Sequence, residues 1–355
     1  MSDSNPEVLD SATQVTPGWM TRVLQNSGVD AVVSDVAVAP VGTGQMADSS
    51  RITLTYESTS GDAPDSVVGK FPSTDPQSRS AGERGGYGNE INFYREVAPL
   101  VAGRTPRSYY AEVGKPDEFT LILEDMAPAE QGDQIAGCTV EQAEAALVNL
   151  AGFHGPLWNS EALKQPAFGA ASDGSLLAEF MAAFTPEFVS RYADRLSEDD
   201  KAMCTDFAAR VLDWNNLDTG SNSVVHGDYR LDNLLFGTTD SCPPVTTVDW
   251  QTLRGAPALR DVGYFLGTSL DAPVRAEHER QLIEAYHSAL LGYGVSDYNF
   301  EQCWDDYRLG SLQGPLITIL GSIGVKQTDR GDDMFMAMIT RSGQQVRELE
   351  AMSLF

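Results

Sequence analysis

The chain is short of basic residues, sulfur pairs and long apolar runs. Only five of its 355 residues are lysine and four are histidine, and 24 Lys+Arg face 51 Asp+Glu, for a net charge of −27. So acidic a surface repels DNA, RNA and anionic lipid, which argues against nucleic-acid or membrane partners. The four cysteines, at 138, 204, 242 and 303, are far apart and form no Cys-x-x-Cys pair. Neither a zinc ribbon nor a dithiol redox site is indicated. Four histidines also argue against a His-rich metal site. The G-x-x-x-x-G-K-[ST] phosphate loop is absent. The opening MSDSNPEVLD lacks a basic region and an apolar core, so no signal peptide is expected. The longest mostly apolar stretch, PLITILGSIGV at 315–325, is too short to span a bilayer. The expectation is a reduced, cytoplasmic protein whose oligomeric state is left open.

What is present divides into two parts. The first is strand-rich. DVAVAPV (35–41), RITLTYE (51–57), DSVVGKF (65–71) and FTLILEDM (119–126) are short β-branched or apolar runs. NEINFYREVAPL (89–100) has apolar residues at a helical spacing. PSTDPQSRSAGERGGYG (72–88) is rich in Gly, Ser and Pro and predicts a mobile loop, with closure over a ligand as an equal alternative. After about residue 126 the pattern turns helical. Thr139 to Gln142 forms a capping box, Thr185-Pro186-Glu187 predicts a helix start with Pro in its first turn, and Ser197 opens a helix toward Trp214. The reading is an α+β chain: residues 1–126 form a small antiparallel-sheet lobe, and 127–355 form a larger helical lobe.

The chemistry concentrates in VVHGDYRLDNLLF (224–236) and VTTVDWQ (245–251). Two short strands joined by a turn would bring Asp228, Asn233 and Asp249 to one end of a hairpin. Asp and Asn oxygens suit Mg²⁺, which takes one or two carboxylates plus phosphate oxygens. A further acid can receive a proton from an attacking hydroxyl. These are the parts of a phosphoryl-transfer site.

His-Gly-Asp-x-x-x-x-Asn followed by an apolar-Asp motif resembles the aminoglycoside phosphotransferase and choline kinase superfamily, relatives of the protein kinases. HGDYRLDN, VDWQ and the later Arg260-Asp261 are most similar to the ecdysteroid-kinase-like (CHK kinase-like) branch and to kinase domains linked to acyl-CoA dehydrogenases. The resemblance covers about residues 35–310. It implies a bilobal protein-kinase-like fold that binds ATP and Mg²⁺ in its cleft, with a hinge at about 122–127, and passes the γ-phosphoryl to a hydroxyl of a small molecule. It also implies residue roles. Asp228 is the catalytic base, Asn233 and Asp249 are the Mg²⁺ ligands, and His226 packs beneath the loop. Arg230 contacts phosphate, and Asp261 braces the loop backbone. Lys70 contacts the α- and β-phosphates and pairs with Glu90, or failing that Glu96. Gly42 and Gly44 let backbone approach phosphate, and backbone groups of Glu124 and Met126 bond the adenine edge.

The acceptor is not readable. Asp271, Glu277, Glu279, Asp305, Asp306, Asp332 and Asp333 could hold a cationic acceptor, although a solvated acidic face fits them better. Tyr264, Phe265, Trp304 and Tyr307 could line an apolar pocket or simply pack the core. Antibiotic inactivation and metabolic phosphorylation both stay open, as does a nucleotide-binding pseudokinase. A protein kinase is disfavoured, because no Asp-Phe-Gly or Ala-Pro-Glu sequence occurs.

Overall fold

The structure is a computed structural model that describes residues 5–42, 47–82, 86–115, 118–169, 174–239 and 241–355. The chain forms two compact units. One comprises Met1–Pro99, Thr105–Ala127 and Asp249–Thr252; the other comprises Leu100–Arg104, Pro128–Val248 and Leu253–Phe355.

The first unit starts with α1 (Pro17–Asn26), capped by Thr16 with Pro17 in its first turn. Three strands follow: β1 (Ala31–Pro40), β2 (Ala47–Thr59) and β3 (Ser66–Pro72). Then come α2 (Pro76–Ala81), α3 (Tyr87–Asn92) continuing as a wider turn over Phe93–Val97, β4 (Ser108–Val113) and β5 (Phe119–Glu124). The five strands make one antiparallel sheet in the order β1-β2-β3-β5-β4. Trp19, Met20, Val23 and Leu24 of α1 pack on Val33, Ile52, Leu54, Val67, Phe71 and Ile122 of the sheet. Alternation along β3 buries Val67, Gly69 and Phe71 and turns Lys70 to the opposite face.

One expectation fails here, and two elements are added. The segment 72–88 is not all loop, because Asp75 accepts the Ser78 N–H and starts α2 at Pro76. A capping Asp followed by Pro outweighs the Gly/Ser composition of this stretch. Its residues 83–85 lie outside the described residues. The strand β4 is an addition, and so is α1.

The second unit contains β6 (Glu130–Gln131), α4 (Val140–His154), α5 (Ser175–Arg191), α6 (Glu198–Asn215) and β7 (Asn222–Val225). Next come β8 (Leu234–Phe236), β9 (Val245–Thr247), β10 (Arg254–Pro257) and α7 (Leu259–Ser269). It ends with α8 (Ala272–Gly292), α9 (Phe300–Gly310), α10 (Gln313–Gly324) and α11 (Asp329–Glu348). Its short strands pair as β6-β8-β9 and as β10-β7. Thr139 and Gln142 form the anticipated capping box of α4, and Ser197 caps α6. The expected helix start at Pro186 is wrong: α5 begins at Ser175 and runs through Pro186. Met181, Thr185 and Phe188 are buried on one face of α5, and tertiary packing there outweighs the one helical hydrogen bond that proline forfeits. A large apolar core joins α5, α6, α10 and α11, with Phe207, Trp214, Leu316, Ile319 and Ile339 at its centre. Among the described residues no helix is long and apolar enough to cross a membrane.

Candidate active site

In the first unit, Lys70 on β3 meets Glu90 on α3. Its Nζ donates to Oε1 at 2.7 Å and to Oε2 at 2.6 Å. Asp249 Oδ1 stands 3.5 Å from the same ammonium. Glu96, the other acid considered, is exposed. The segment Asp249–Thr252 belongs to this unit and fixes the helix that carries Glu90. The Trp250 ring stacks on Phe93 with centroids 3.8 Å apart and planes within 4°. Asn89 Nδ2 donates to the Gln251 carbonyl at 2.9 Å, and Gln251 Nε2 approaches Glu90 Oε2 at 3.5 Å. Asp249 itself takes a left-handed backbone, φ 68°, which bends the chain as it leaves β9.

Burial disfavours the Lys70 ammonium, but the Asp249 and Glu90 charges outweigh it, and its pKa rises above the ordinary lysine value. Burial pushes the Glu90 carboxyl upward, against the pull of Lys70. Gly42 adopts φ 74°, a conformation that favours glycine, just before the β1–β2 connection. Gly44 lies outside the described residues. The Glu124 N–H donates to the Arg107 carbonyl at 2.8 Å. Met126 follows as a buried residue.

In the second unit, the loop between β7 and β8 carries the other predicted residues. Asp261 on α7 is fully buried and braces the loop's backbone. Its Oδ2 accepts the His226 N–H at 2.6 Å, and its Oδ1 accepts the Gly227 N–H at 3.0 Å. Burial alone would raise the Asp261 pKa, yet His154, His226 and the backbone donors pull it below the usual carboxylate value. The His226 ring bridges Val248 O, 2.9 Å from Nε2, and the Asp228 N–H, 3.3 Å from Nδ1. A ring that accepts at Nδ1 donates at Nε2, so the two contacts agree on one tautomer.

Three donors converge on the Asp228 carboxylate. Arg230 Nε reaches Oδ2 at 3.1 Å, Asn233 Nδ2 reaches the same oxygen at 3.0 Å, and the Tyr264 hydroxyl reaches Oδ1 at 2.8 Å. Asn233 Nδ2 also donates to the Asp228 carbonyl at 2.9 Å. Arg230 spends Nη1 on Asp232 at 2.5 Å. Burial lowers the Arg230 pKa, but Asp228, Tyr264 and Asp232 more than offset this, and the guanidinium stays charged. The Asp228 side chain keeps 27% exposure, so the carboxylate is held firmly yet stays open to a ligand.

Asn233 in the second unit and Asp249 in the first each carry a side-chain oxygen of the kind Mg²⁺ takes. Both contacts of the Asn233 amide nitrogen go to Asp228, so its Oδ1 is the atom left for a cation. The Asp249 side chain is 40% exposed. Among the described residues no three His, Cys, Asp or Glu side chains converge on a metal position.

A family model described as the ecdysteroid kinase-like family matches residues 42–293, well over half of the chain. The chain belongs to that family. No curated protein matches it. Solved structures share its fold at low identity. One is a Ralstonia eutropha JMP134 protein provisionally described as an aminoglycoside phosphotransferase, with 16% identity, 93% of this chain and 97% of that chain covered, and a TM-score of 0.53. Another is a Plasmodium vivax ethanolamine kinase, with 12% identity, coverages of 96% and 90%, and a TM-score of 0.53. A third is the GDP complex of aminoglycoside 2′-phosphotransferase-IIIa, with 13% identity, coverages of 92% and 97%, and a TM-score of 0.52. The ecdysteroid kinase-like chain therefore has the α+β, protein-kinase-like fold: an antiparallel-sheet N-terminal lobe and a helical C-terminal lobe.

The candidate acceptor acids of this family member do not converge. Asp271 pairs with Arg341, Glu279 with Arg275, Asp305 with Arg308 and Asp333 with Arg195. Asp306 and Asp332 accept from Tyr298 and Tyr192. Phe265 packs edge-on against Tyr229, while Trp304 packs on Phe300 and Tyr307 in the helical core. Sequence reasoning read Tyr264 only as pocket lining or core, and it missed Gln134 altogether. Tyr264 turns its hydroxyl to Asp228. Buried Gln134 accepts the Leu231 N–H and donates to the Thr268 carbonyl, both at 2.8 Å, tying the loop to α7. Gln134 sits in a polar stretch with no periodicity, so no sequence signal pointed to it.

Proposed function

We propose that the protein transfers the γ-phosphoryl group of ATP to a hydroxyl of a small molecule. The observation that carries this reading is the Asp228 carboxylate, oriented by three directed donors yet partly exposed. Asp228 takes the acceptor's hydroxyl proton as the acceptor oxygen forms its bond to phosphorus and the bond to the ADP oxygen breaks. The Lys70 ammonium, kept charged by Glu90 and Asp249, holds the α- and β-phosphates. Arg230, with its Nε and Nη1 committed to Asp228 and Asp232, offers Nη2 to the transferring group. By the family resemblance, Asn233 Oδ1 in the second unit and the Asp249 carboxylate in the first are each a candidate Mg²⁺ ligand, and the ion would supply positive charge to phosphate oxygens. Backbone groups of Glu124 and Met126 are assigned to the adenine edge by the family resemblance, and Gly42 to the approach of backbone to phosphate.

Several observations support a small-molecule acceptor: the family, the neighbours named for ethanolamine and aminoglycosides, and the lack of the protein-kinase sequences named above. The acidic surface favours no polyanionic partner. The test is a coupled ADP-release screen with Mg·ATP against aminoglycosides, choline, sugars, sterols and hydroxyacyl compounds. A hit that vanishes in Asp228→Ala is the expected result. Turnover that survives in the variant removes Asp228 as the base.

A further inference from the structure

We infer that Tyr264 is a positioning residue for the transfer, holding the Asp228 carboxylate so that Oδ1 is the oxygen that takes the acceptor's proton. The inference rests on the phosphotransfer reading and adds to it the identity of the working oxygen and the group that aims it.

The argument starts from lone pairs. A carboxylate oxygen accepts about two hydrogen bonds. Asp228 Oδ2 already receives two donors, Arg230 Nε and Asn233 Nδ2. Oδ1 receives one, from Tyr264, at 2.8 Å. Among the described residues, then, the open position is on Oδ1, and the direction of that lone pair is set by the phenol on the other one. The acceptor's O–H bond breaks as the proton passes to Oδ1. Its oxygen pair bonds phosphorus, and the pair of the broken P–O bond leaves with ADP.

Tyr264 is built for this task. Its side chain is fully buried, so its hydroxyl needs a protein partner. Burial and the Asp228 charge hold the phenol far above its ordinary pKa, which keeps it a donor and removes it as a competing base. Asp261 and Tyr264 are three residues apart on α7 and so share a helix face. From that face Asp261 grips the loop's backbone at His226 and Gly227, and Tyr264 grips the side chain of the next residue, Asp228. The helix has little freedom to shift. A Cβ on Gly263 would run into the backbone of Gly310, so α7 and α9 cross in direct main-chain contact.

The test compares Tyr264→Phe with Tyr307→Phe. Tyr307 is also fully buried and also donates to a carboxylate, Glu279 at 2.7 Å, in the helical core. Both variants lose one buried hydroxyl, and each should lower the melting temperature by a few degrees. The assay is ADP release from Mg·ATP with water as acceptor, so no acceptor need be known. Tyr264→Phe should lower kcat by about 10- to 100-fold while leaving the KM for ATP within about two-fold. Tyr307→Phe should leave kcat unchanged. An unchanged kcat in Tyr264→Phe, or an equal loss in Tyr307→Phe, overturns the inference. If Tyr264→Phe does not fold, 3-fluorotyrosine at 264 keeps the packing and makes a stronger donor. A changed kcat with an unchanged KM then supports the assignment, and no change overturns it. A wild-type protein that neither releases ADP nor binds nucleotide overturns the phosphotransfer reading and this inference with it.

Discussion

The two units hold their functional groups in different ways. In the first, Lys70, Glu90 and Asp249 form a charge triad, in which one ammonium faces two carboxylates. In the second, Asp228 stands under a fan of directed hydrogen bonds from Arg230, Asn233 and Tyr264. A charge triad tolerates small movements, because Coulomb attraction falls slowly with distance. A hydrogen-bond fan does not, because such bonds weaken steeply with angle. The first arrangement suits holding a polyphosphate. The second suits aiming one lone pair at one proton.

The comparison can be broken at several points. The largest effect is expected from Asp228→Asn, which keeps the shape of the side chain but removes its proton-accepting charge. Its kcat should fall by about 10²- to 10⁴-fold with the KM for ATP little changed; steady-state kinetics checks this. Lys70→Met comes next. It leaves Glu90 buried without its cation, so urea unfolding should show a loss of about 3 kcal/mol, and nucleotide affinity should drop at least about ten-fold. Asp261→Asn should cost about 2 kcal/mol, because it weakens the carboxylate that accepts two buried backbone donors.

Asp261 also predicts a pH dependence. Its folded pKa lies below its unfolded value, so it contributes stability above the ordinary carboxylate pKa of about 4. That contribution is lost as pH falls through the lower folded value. Unfolding measured from neutral to acid pH should show a shallower acid loss in Asp261→Asn than in wild type. The smallest effect belongs to Phe93→Leu, which removes the stack on Trp250 and should cost about 1 kcal/mol.

Local signals were the legible part of the chain. The capping box at Thr139 and the cap at Ser197 mark real helix starts, because they satisfy orphan N–H groups whatever the tertiary context. The pairing of Lys70 with Glu90 was legible through the family resemblance, which implies a strand Lys paired with a helix Glu, and the two side chains do meet. Reading failed where packing or an overlooked cap decides. Pro186 sits inside α5, and Asp75-Pro76 starts a helix within a Gly/Ser-rich stretch. The start of α1 was marked by Thr16-Pro17 and by apolar residues at 19, 20, 23 and 24, a signal that was available. The Tyr264–Asp228 bond was not available, because it joins residues 36 apart through a helix face that only the fold aligns.

The most direct test of this division of labour is a calorimetric titration of Mg·ATP into wild type, Lys70→Met and Asp228→Asn. The account predicts that Asp228→Asn binds nucleotide like wild type and that Lys70→Met binds at least about ten-fold more weakly. Equal affinity in Lys70→Met, or lost binding in a folded Asp228→Asn, would contradict it.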